Sequence, residues 1–353
     1  MKKLLKMIRN ILICILVLAI SGLGLLTYKE YQPANKAIIP LVQNSLKKEV
    51  SLNQEMNILT WNIGYGALGE QADFFMDGGK SVQSSTKESV QKNLIGIQNI
   101  IKNEKPDFAL FQEVDYDSKR SYYINEQKVL SAALPYYSSS SALNFKAFYV
   151  PYPLPPIGRV NSGIETYSAY RINSSLRYQL PIPFKWPSRT VNLKRCLTLN
   201  RINIKNTKKQ LVIINLHLEA FDKGEGKKKQ TEAVKKLIED EYKKGNYVIA
   251  GGDFNQTFTH ISLKNYPRYK NKWQPGTIDT SVFKGFNCVM DNTYPTARSL
   301  DKAYRNKFSH QYYMIDGYMV SKNITIKKIE TKNYHFKYSD HNPVKLTFLL
   351  NSI

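Results

Sequence analysis

The sequence predicts a mixed α/β domain over residues 56–353, preceded by an apolar membrane segment. Three observations carry this. Residues 11–28 are uncharged and apolar, strand-length apolar runs alternate with helical patterns from Met56 onward, and several of those runs end in polar groups that folding does not need. The chain has 353 residues, 42% hydrophobic and 22% charged. These are ordinary globular values, which exclude collagen, coiled coil and wholesale disorder. Cys14, Cys196 and Cys288 are too few for a disulfide framework, and none has zinc-knuckle spacing.

The first element is the run ILICILVLAISGLGLLTY, Ile11–Tyr28, behind Lys2, Lys3, Lys6 and Arg9. Its length falls within the roughly 17–25 residues that cross a bilayer, and near the upper end for a signal-peptide core. The basic flank places the amino terminus in the cytoplasm and the remainder of the chain outside. The cleavage triplets around Ala19–Gly24 are poor and Cys14 lacks a lipobox. The expectation is therefore a single-pass anchor at residues 1–28 with an extracellular domain, or a secreted protein if the segment is removed. Residues 29–55, with Pro33 and Pro40, read as a stalk or linker, in part helical.

Ile58–Trp61 is the first strand of the domain, followed by a loop with Gly64, Gly66, Gly69, Gly78 and Gly79. Ser85 and Glu88 form a capping box, and Val90, Leu94, Ile97 and Ile101 recur at helical spacing up to Pro106. Phe108–Phe111 is the next strand. Residues 135–190, with FYVPYPLPPIG, read as a long surface loop that shapes substrate access, touches lipid or covers a sheet edge. Arg195–Ile204 and Leu211–His217 are strands joined by a turn at 206–209. Lys227–Lys244 is a helix with Ala233, Leu237 and Ile238 inward, stopped by Gly245. Tyr247–Ala250, Met314–Val320 and Val344–Leu350 complete the strands.

Net charge is +23, and residues 1–30, with five basic groups and one acid, leave +19 on the remainder. Such an excess attracts nucleic acid, anionic lipid or anionic polymers. The competing explanation is a solvated basic surface, in keeping with a chain rich in Lys, Asn, Ile and Tyr.

The strand ends carry the chemistry. They supply Asn62, then Gln112 and Glu113, then His217, then Asp253 and Asn255, then Asp316, and finally Ser339, Asp340 and His341. Singly, each could be a turn former or a structural histidine. Together they suit phosphate ester hydrolysis. Glu113 and Asp340 offer hard oxygen ligands to Mg²⁺ or Mn²⁺, which neutralise phosphate oxygens. His341 has a fitting pKa to take a proton from water, and Asp316 could hold its tautomer. The carboxamides fix phosphate or metal without adding charge, and His217 can donate to the transition state.

Six ordered segments, LTWNIG at 59–64, FQEVD at 111–115, INLHLEA at 214–220, IAGGDFNQ at 249–256, IDGYMVS at 315–321 and YSDHNPV at 338–344, span the domain. On these the sequence resembles the endonuclease/exonuclease/phosphatase superfamily of metal-dependent phosphoesterases, in its deoxyribonuclease- and sphingomyelinase-like branch. The resemblance implies a four-layer α/β sandwich, two mixed sheets face to face flanked by helices. It implies that Asn62 and Glu113 form a metal-site pair, and that Asp253 and Asn255 position water and phosphate, with Asp253 also a possible metal ligand. It further implies that Asp340 is a metal-side carboxylate, His341 the general base and Asp316 its orienting partner. His217 matches the histidine of the deoxyribonuclease and sphingomyelinase types. Two positions depart from the pattern: Ala169 stands at a usually basic position in TYSAYRI, 166–172, with Arg171 two residues on, and Met314 replaces a basic residue. The insertion ADFFMDGGK, 72–80, is additional.

The expected function is an exported, membrane-anchored phosphodiester hydrolase acting on nucleic acid. The alternative is the same chemistry on phospholipid or inositol-type headgroups. A polyanion-binding surface protein is the non-enzyme alternative, which the full ligand set argues against. No protein partner is expected.

Overall fold

The computed structural model describes residues 1–83, 86–222, 224–262, 266–305 and 310–352. In chain order the elements are α1 (Lys2–Tyr28), β1 (Lys36–Ile38), β2 (Leu41–Val42), β3 (Met56–Asn62), α2 (Lys87–Glu104), β4 (Phe108–Asp115) and α3 (Glu126–Ala133). A long hairpin follows, β5 (Ser138–Val150) and β6 (Gly158–Ser168), then β7 (Ser174–Gln179), β8 (Cys196–Asn203), β9 (Gln210–His217), α4 (Glu225–Lys243) and β10 (Tyr247–Asp253). The remaining strands are β11 (Gln256–Phe258), β12 (Gly276–Ile278), β13 (Phe286–Val289), β14 (Ala297–Arg298), β15 (Tyr312–Tyr313), β16 (Asp316–Ser321), β17 (Ile324–Thr331) and β18 (Val344–Leu350).

Two seven-stranded mixed sheets result, in the orders β1-β7-β8-β9-β10-β16-β13 and β17-β18-β3-β4-β6-β5-β2. Their central strands are buried on both faces, which is why they read as continuous apolar runs. In β4, Phe108 and Leu110 point between the sheets, against Ile213, Ile249 and Tyr318. Ala109 and Phe111 point outward onto Leu94, Ile97 and Ile101 of α2 and Leu130 of α3. On the far side, Val234 and Ile238 of α4 cover Val212, Ile214 and Val248. The order of layers is therefore helix, sheet, sheet, helix, as the resemblance implied. Each fully buried large side chain contributes about 1.5–3 kcal/mol. The Tyr318 hydroxyl ties the sheets together, 3.0 Å from the Ile58 carbonyl oxygen and 2.8 Å from that of Val344. Gly251 makes room for its ring, since a Cβ there would lie 2.4 Å from Tyr318 Cδ1.

Three expectations are corrected. Residues 29–55 are not a free linker and contain no helix beyond Tyr28. Strand β1 pairs with β7, β2 pairs with β5, and Val50 bridges Ile204 with its side chain fully buried. Pro40 divides this segment into two edge strands too short to show a periodicity, one for each sheet. Residues 135–190 are not a long loop, because β5, β6 and β7 occupy most of them. Their inward side chains are partly polar. Ser140 Oγ donates to Asn200 Oδ1 at 2.6 Å and Thr166 meets Thr198 at 3.2 Å, so the apolar strand signal is missing. The prolines of that stretch cluster in the 151–156 turn and the 181–187 connection. The α2 cap is Thr86, whose Oγ1 accepts from Ser89 N at 3.2 Å, while Ser85 lies outside the described residues.

Helix α1 is long and apolar enough to cross a membrane, and none of its most apolar stretch is buried against the domain.

Candidate active site

Register brings the strand-end residues together. Strand β10 lies between parallel β9 and antiparallel β16, so Asp253 pairs with His217 on one side and Asp316 on the other. On the facing sheet, parallel β3 and β4 place Asn62 beside Gln112 and Glu113. Asp340 and His341 precede β18 and are held from several directions. Ser339 Oγ donates to the Asn62 carbonyl at 2.8 Å, and Trp61 Nε1 donates to that of His341 at 2.9 Å. Asn62, Glu113, His217, Asp253, Asn255, Asp340 and His341 line one cleft, with Asp316 directly behind His341.

The backbone is shaped for this. A bulge between Phe111 and Val114 turns Glu113, at φ 55°, out of the ladder. Gly252 has φ 148°, and a Cβ there would lie 1.9 Å from the Leu216 carbonyl oxygen. Only glycine lets β10 approach β9 closely enough to seat Asp253 beside His217.

His341 Nδ1 donates to Asp316 Oδ2 at 2.8 Å, leaving Nε2 in the cleft, 3.9 Å from Asp253 Oδ2. His217 Nε2 lies 3.5 Å from the same oxygen and 3.9 Å from Glu113 Oε1. Burial raises Asp253 to about 7, helped by the charge of Asp316. Burial likewise raises Asp340 to about 6, helped by Glu113. The two imidazoles are driven apart. Burial and the nearby Arg195 hold His217 well below its ordinary value, so it is neutral and its two close carboxylates are not ion pairs. Burial would lower His341 too, but Asp316, Asp340 and Asp253 outweigh it and hold the ring protonated. The expected general base is thus the charged imidazole, a single positive ring among the carboxylates of Asp253, Asp316 and Asp340, which leaves an excess of negative charge.

That charge fits a divalent cation. Asp253, Asp316 and His341 offer atoms within 4.8 Å of one another, and Asp316 Oδ1 is buried without a partner. Asp316 Oδ2 is engaged with His341, and the carboxylates that line the cleft itself are those of Glu113, Asp253 and Asp340. Asn62 is bound on both sides of its amide. Its Oδ1 accepts from Gly64 N at 3.0 Å, and its amide N–H groups face Glu113 and Asp253, each at 3.1 Å. It holds the carboxylates in place. Asn255 donates through Nδ2 to the Leu218 carbonyl at 2.9 Å, and its own N–H reaches Asp253 Oδ1 at 2.8 Å.

Ser168 and Arg171 lie away from the site. Ser168 pairs with Phe108 at the other end of β4, and Arg171 is exposed. Three arginines that sequence reasoning missed line the cleft: Arg120, Arg195 and Arg298. Arg120 stacks 3.7 Å over the Tyr65 ring and is bidentate to Asp115 at 3.0 and 2.9 Å. Arg195 pairs with Glu219 at 3.2 Å, and Arg298 donates to the Ser299 and Gly69 carbonyls at 3.0 and 2.8 Å. Arg195 directly precedes β8 and Arg298 ends the two-residue β14, but neither falls in a run that the sequence pattern singled out. The 72–80 insertion supplies Phe74, Phe75, Met76 and Asp77 to the cleft wall.

The endonuclease/exonuclease/phosphatase family profile matches residues 59–341. No curated protein matches the chain in sequence. Among solved structures, an endonuclease/exonuclease/phosphatase from Beutenbergia cavernae DSM 12333 is similar at TM-score 0.56 and 17% identity, over 85% of this chain and 72% of that one. The human Nocturnin catalytic domain with bound sulfate gives 0.51 and 17%, over 89% and 97%. D. rerio TDP2 complexed with a single-strand DNA product gives 0.52 and 13%, over 84% and 99%. At these identities the structures speak for the fold alone. The profile match covers most of the chain and runs through every strand-end residue described above, from Asn62 to His341, and on that ground the chain belongs to the endonuclease/exonuclease/phosphatase family.

Proposed function

We propose that this chain is a divalent-cation-dependent phosphoester hydrolase, held at a membrane by α1 with its domain on the extracellular side. The observation that carries the activity is the convergence of Glu113, Asp253 and Asp340 with the His341–Asp316 pair at one end of the two sheets. Glu113, Asp253 and Asp340 would hold Mg²⁺ or Mn²⁺. When bound, the cation would draw charge from phosphate oxygens and lower the pKa of water. Asn62 fixes two of those carboxylates. Asp316 sets the tautomer of His341 and leaves Nε2 to take a proton from the attacking water once the carboxylate charge is balanced. Neutral His217 is placed to donate to a phosphate oxygen.

Two substrate classes are supported by different features. The charge of +23 and the single-strand DNA product on the D. rerio TDP2 neighbour support nucleic acid. The apolar cleft wall supports a phospholipid or inositol-type phosphoester. Export and anchoring rest on α1 and its basic flank.

The full chain is assayed on bis(p-nitrophenyl) phosphate, plasmid DNA, RNA, sphingomyelin and phosphoinositides, with Mg²⁺, with Mn²⁺ and with EDTA. Hydrolysis of at least one, abolished by EDTA, is expected. Turnover unchanged in EDTA refutes the cation role, and cleavage of none refutes the hydrolase. Protease shaving of intact cells should remove the domain, and a protected domain reverses the orientation.

A further inference from the structure

We propose that the cleft takes a phosphoester bearing an apolar tail, drawn from the bilayer that α1 enters, with the tail seated in a chamber beside the carboxylates. This rests on the hydrolase reading above and names its substrate class.

The cleft encloses about 440 Å³. Its floor is the polar cluster. Its walls come from Phe74 and Phe75 of the 72–80 insertion, Val150 and Ile157 flanking the β5–β6 turn, and Phe184 and Leu193 between β7 and β8. A nucleic-acid cleft presents unpaired cations to successive phosphates. Among the described residues, the Lys and Arg side chains lining this one are Arg120, Arg195 and Arg298; the first two pair with Asp115 and Glu219, and Arg298 donates to backbone carbonyls with its Nε left unpartnered. Most of the positive charge of the chain is therefore elsewhere, and the cleft offers apolar surface where a polyanion would need a row of Lys and Arg.

The wall is also fastened to the end of α1. Trp186 Nε1 donates to Thr27 Oγ1 at 3.1 Å. Two residues beyond α1, Glu30 forms a buried pair with Lys194 at 2.9 Å and a second contact with Arg189 at 3.3 Å. Residues 184–194 thus run from the last turn of α1 to the chamber. Tyr152, Leu154 and Trp186, on the segments that form these walls, are 72%, 85% and 52% exposed. Exposed apolar and aromatic side chains suit a lipid-facing surface; Tyr152 lines the cleft, and Trp186 stands where α1 would leave the bilayer. Substrate can pass from the outer leaflet into the chamber while its phosphate reaches Glu113, Asp253 and Asp340.

The test uses the full chain in an amphipathic polymer, with decyl and methyl p-nitrophenyl phosphate, which share the scissile P–O(aryl) bond and differ only in the tail. The kcat/KM for the decyl ester should exceed that for the methyl ester by about two to three orders of magnitude, the fold-change that burying four or five methylenes supplies. Leu193→Glu and Phe184→Glu should each cut that ratio below about tenfold, with circular dichroism confirming the fold. Equal rates on the two esters overturn the chamber and leave the hydrolase standing. Calorimetric binding of decyl phosphate against methyl phosphate, below their micelle concentrations, reads the chamber without turnover. A retained preference with no cleavage of either ester would overturn the hydrolase alone, and no preference overturns the chamber. A single-stranded DNA oligonucleotide cleaved faster than the decyl ester, and equally by Leu193→Glu, assigns the cleft to nucleic acid and overturns the proposal. In phosphatidylcholine vesicles, hexadecyl p-nitrophenyl phosphate should be cleaved when it shares a bilayer with the protein. Equal cleavage from separate vesicles overturns loading from the membrane plane.

Discussion

The floor and the walls of the cleft are built by opposite means. Most floor residues are placed by the strands: Asp253 faces His217 and Asp316 because β10 pairs with β9 and β16 in one register, and a bulge in β4 sets Glu113. The walls come from connections, namely residues 72–80, the turn after Val150 and the 181–194 segment, whose positions depend on tertiary contacts. Chemistry is thereby placed on the rigid frame and selectivity on the segments free to vary.

The sharpest way to break this contrast is at the floor. Asp253→Ala and His341→Ala should each lower kcat on bis(p-nitrophenyl) phosphate by about 10³-fold or more, with the fold intact by circular dichroism. A loss under tenfold in either would detach the register from the chemistry. Next in size is the border between floor and wall. Arg195→Ala leaves Glu219 buried and unpaired, and should cost about 3–5 kcal/mol in urea denaturation. A cost below about 1 kcal/mol would show that the wall does not depend on that pair.

The floor should also declare itself through pH. Asp253, near 7, and Asp340, near 6, both stand above the ordinary 3.8, so the folded chain keeps protons that the unfolded chain has released. Metal-free stability should therefore fall as pH rises from about 4 to about 7, by a few kcal/mol. Saturating Mg²⁺ at pH 8 should restore about 2–3 kcal/mol, the linkage expected near one hundred times its dissociation constant. Thermal melts with EDTA and with Mg²⁺ check both signs, and a metal-free chain that gains stability over that window contradicts the uncompensated charge. Glu241 supplies the opposite sign at the other end of the first sheet. Arg201 and Lys244 outweigh burial and hold it at about 2. Glu241→Gln should cost about 2 kcal/mol at neutral pH, an effect that fades as pH falls from 4.5 toward 2. The smallest effect belongs to the tip of the wall, where Leu154→Ser should stay within about 0.5 kcal/mol of the parent.

The same division explains what could be read from the sequence. Strands β3, β4, β9 and β10 announce themselves as apolar runs because both their faces are covered, and Asn62, Glu113, His217 and Asp253 at or near their ends stand out as polar interruptions. Strands β5 and β6 do not, because serine, threonine and asparagine line the space they share with β8. Residues 36–42 escape notice because an edge strand of two or three residues has no period to detect. The arginines of the cleft follow no spacing, since Arg120 comes from the turn after β4, Arg195 from the residue before β8 and Arg298 from the short β14. The amide orientation of Asn62 depends on Gly64 N–H, a contact two residues away that composition does not reveal.

The stitching of residues 36–50 onto both sheets carries a consequence for the whole chain. A catalytic head on a slack tether sweeps a hemisphere and meets whatever drifts through it. Here the strands begin eight residues after α1 and leave little slack, so with α1 in a bilayer, as proposed, the head would keep close to one attitude and one height above it. On the proposed reading its reach would be short, and its substrates would be those the bilayer presents at the cleft.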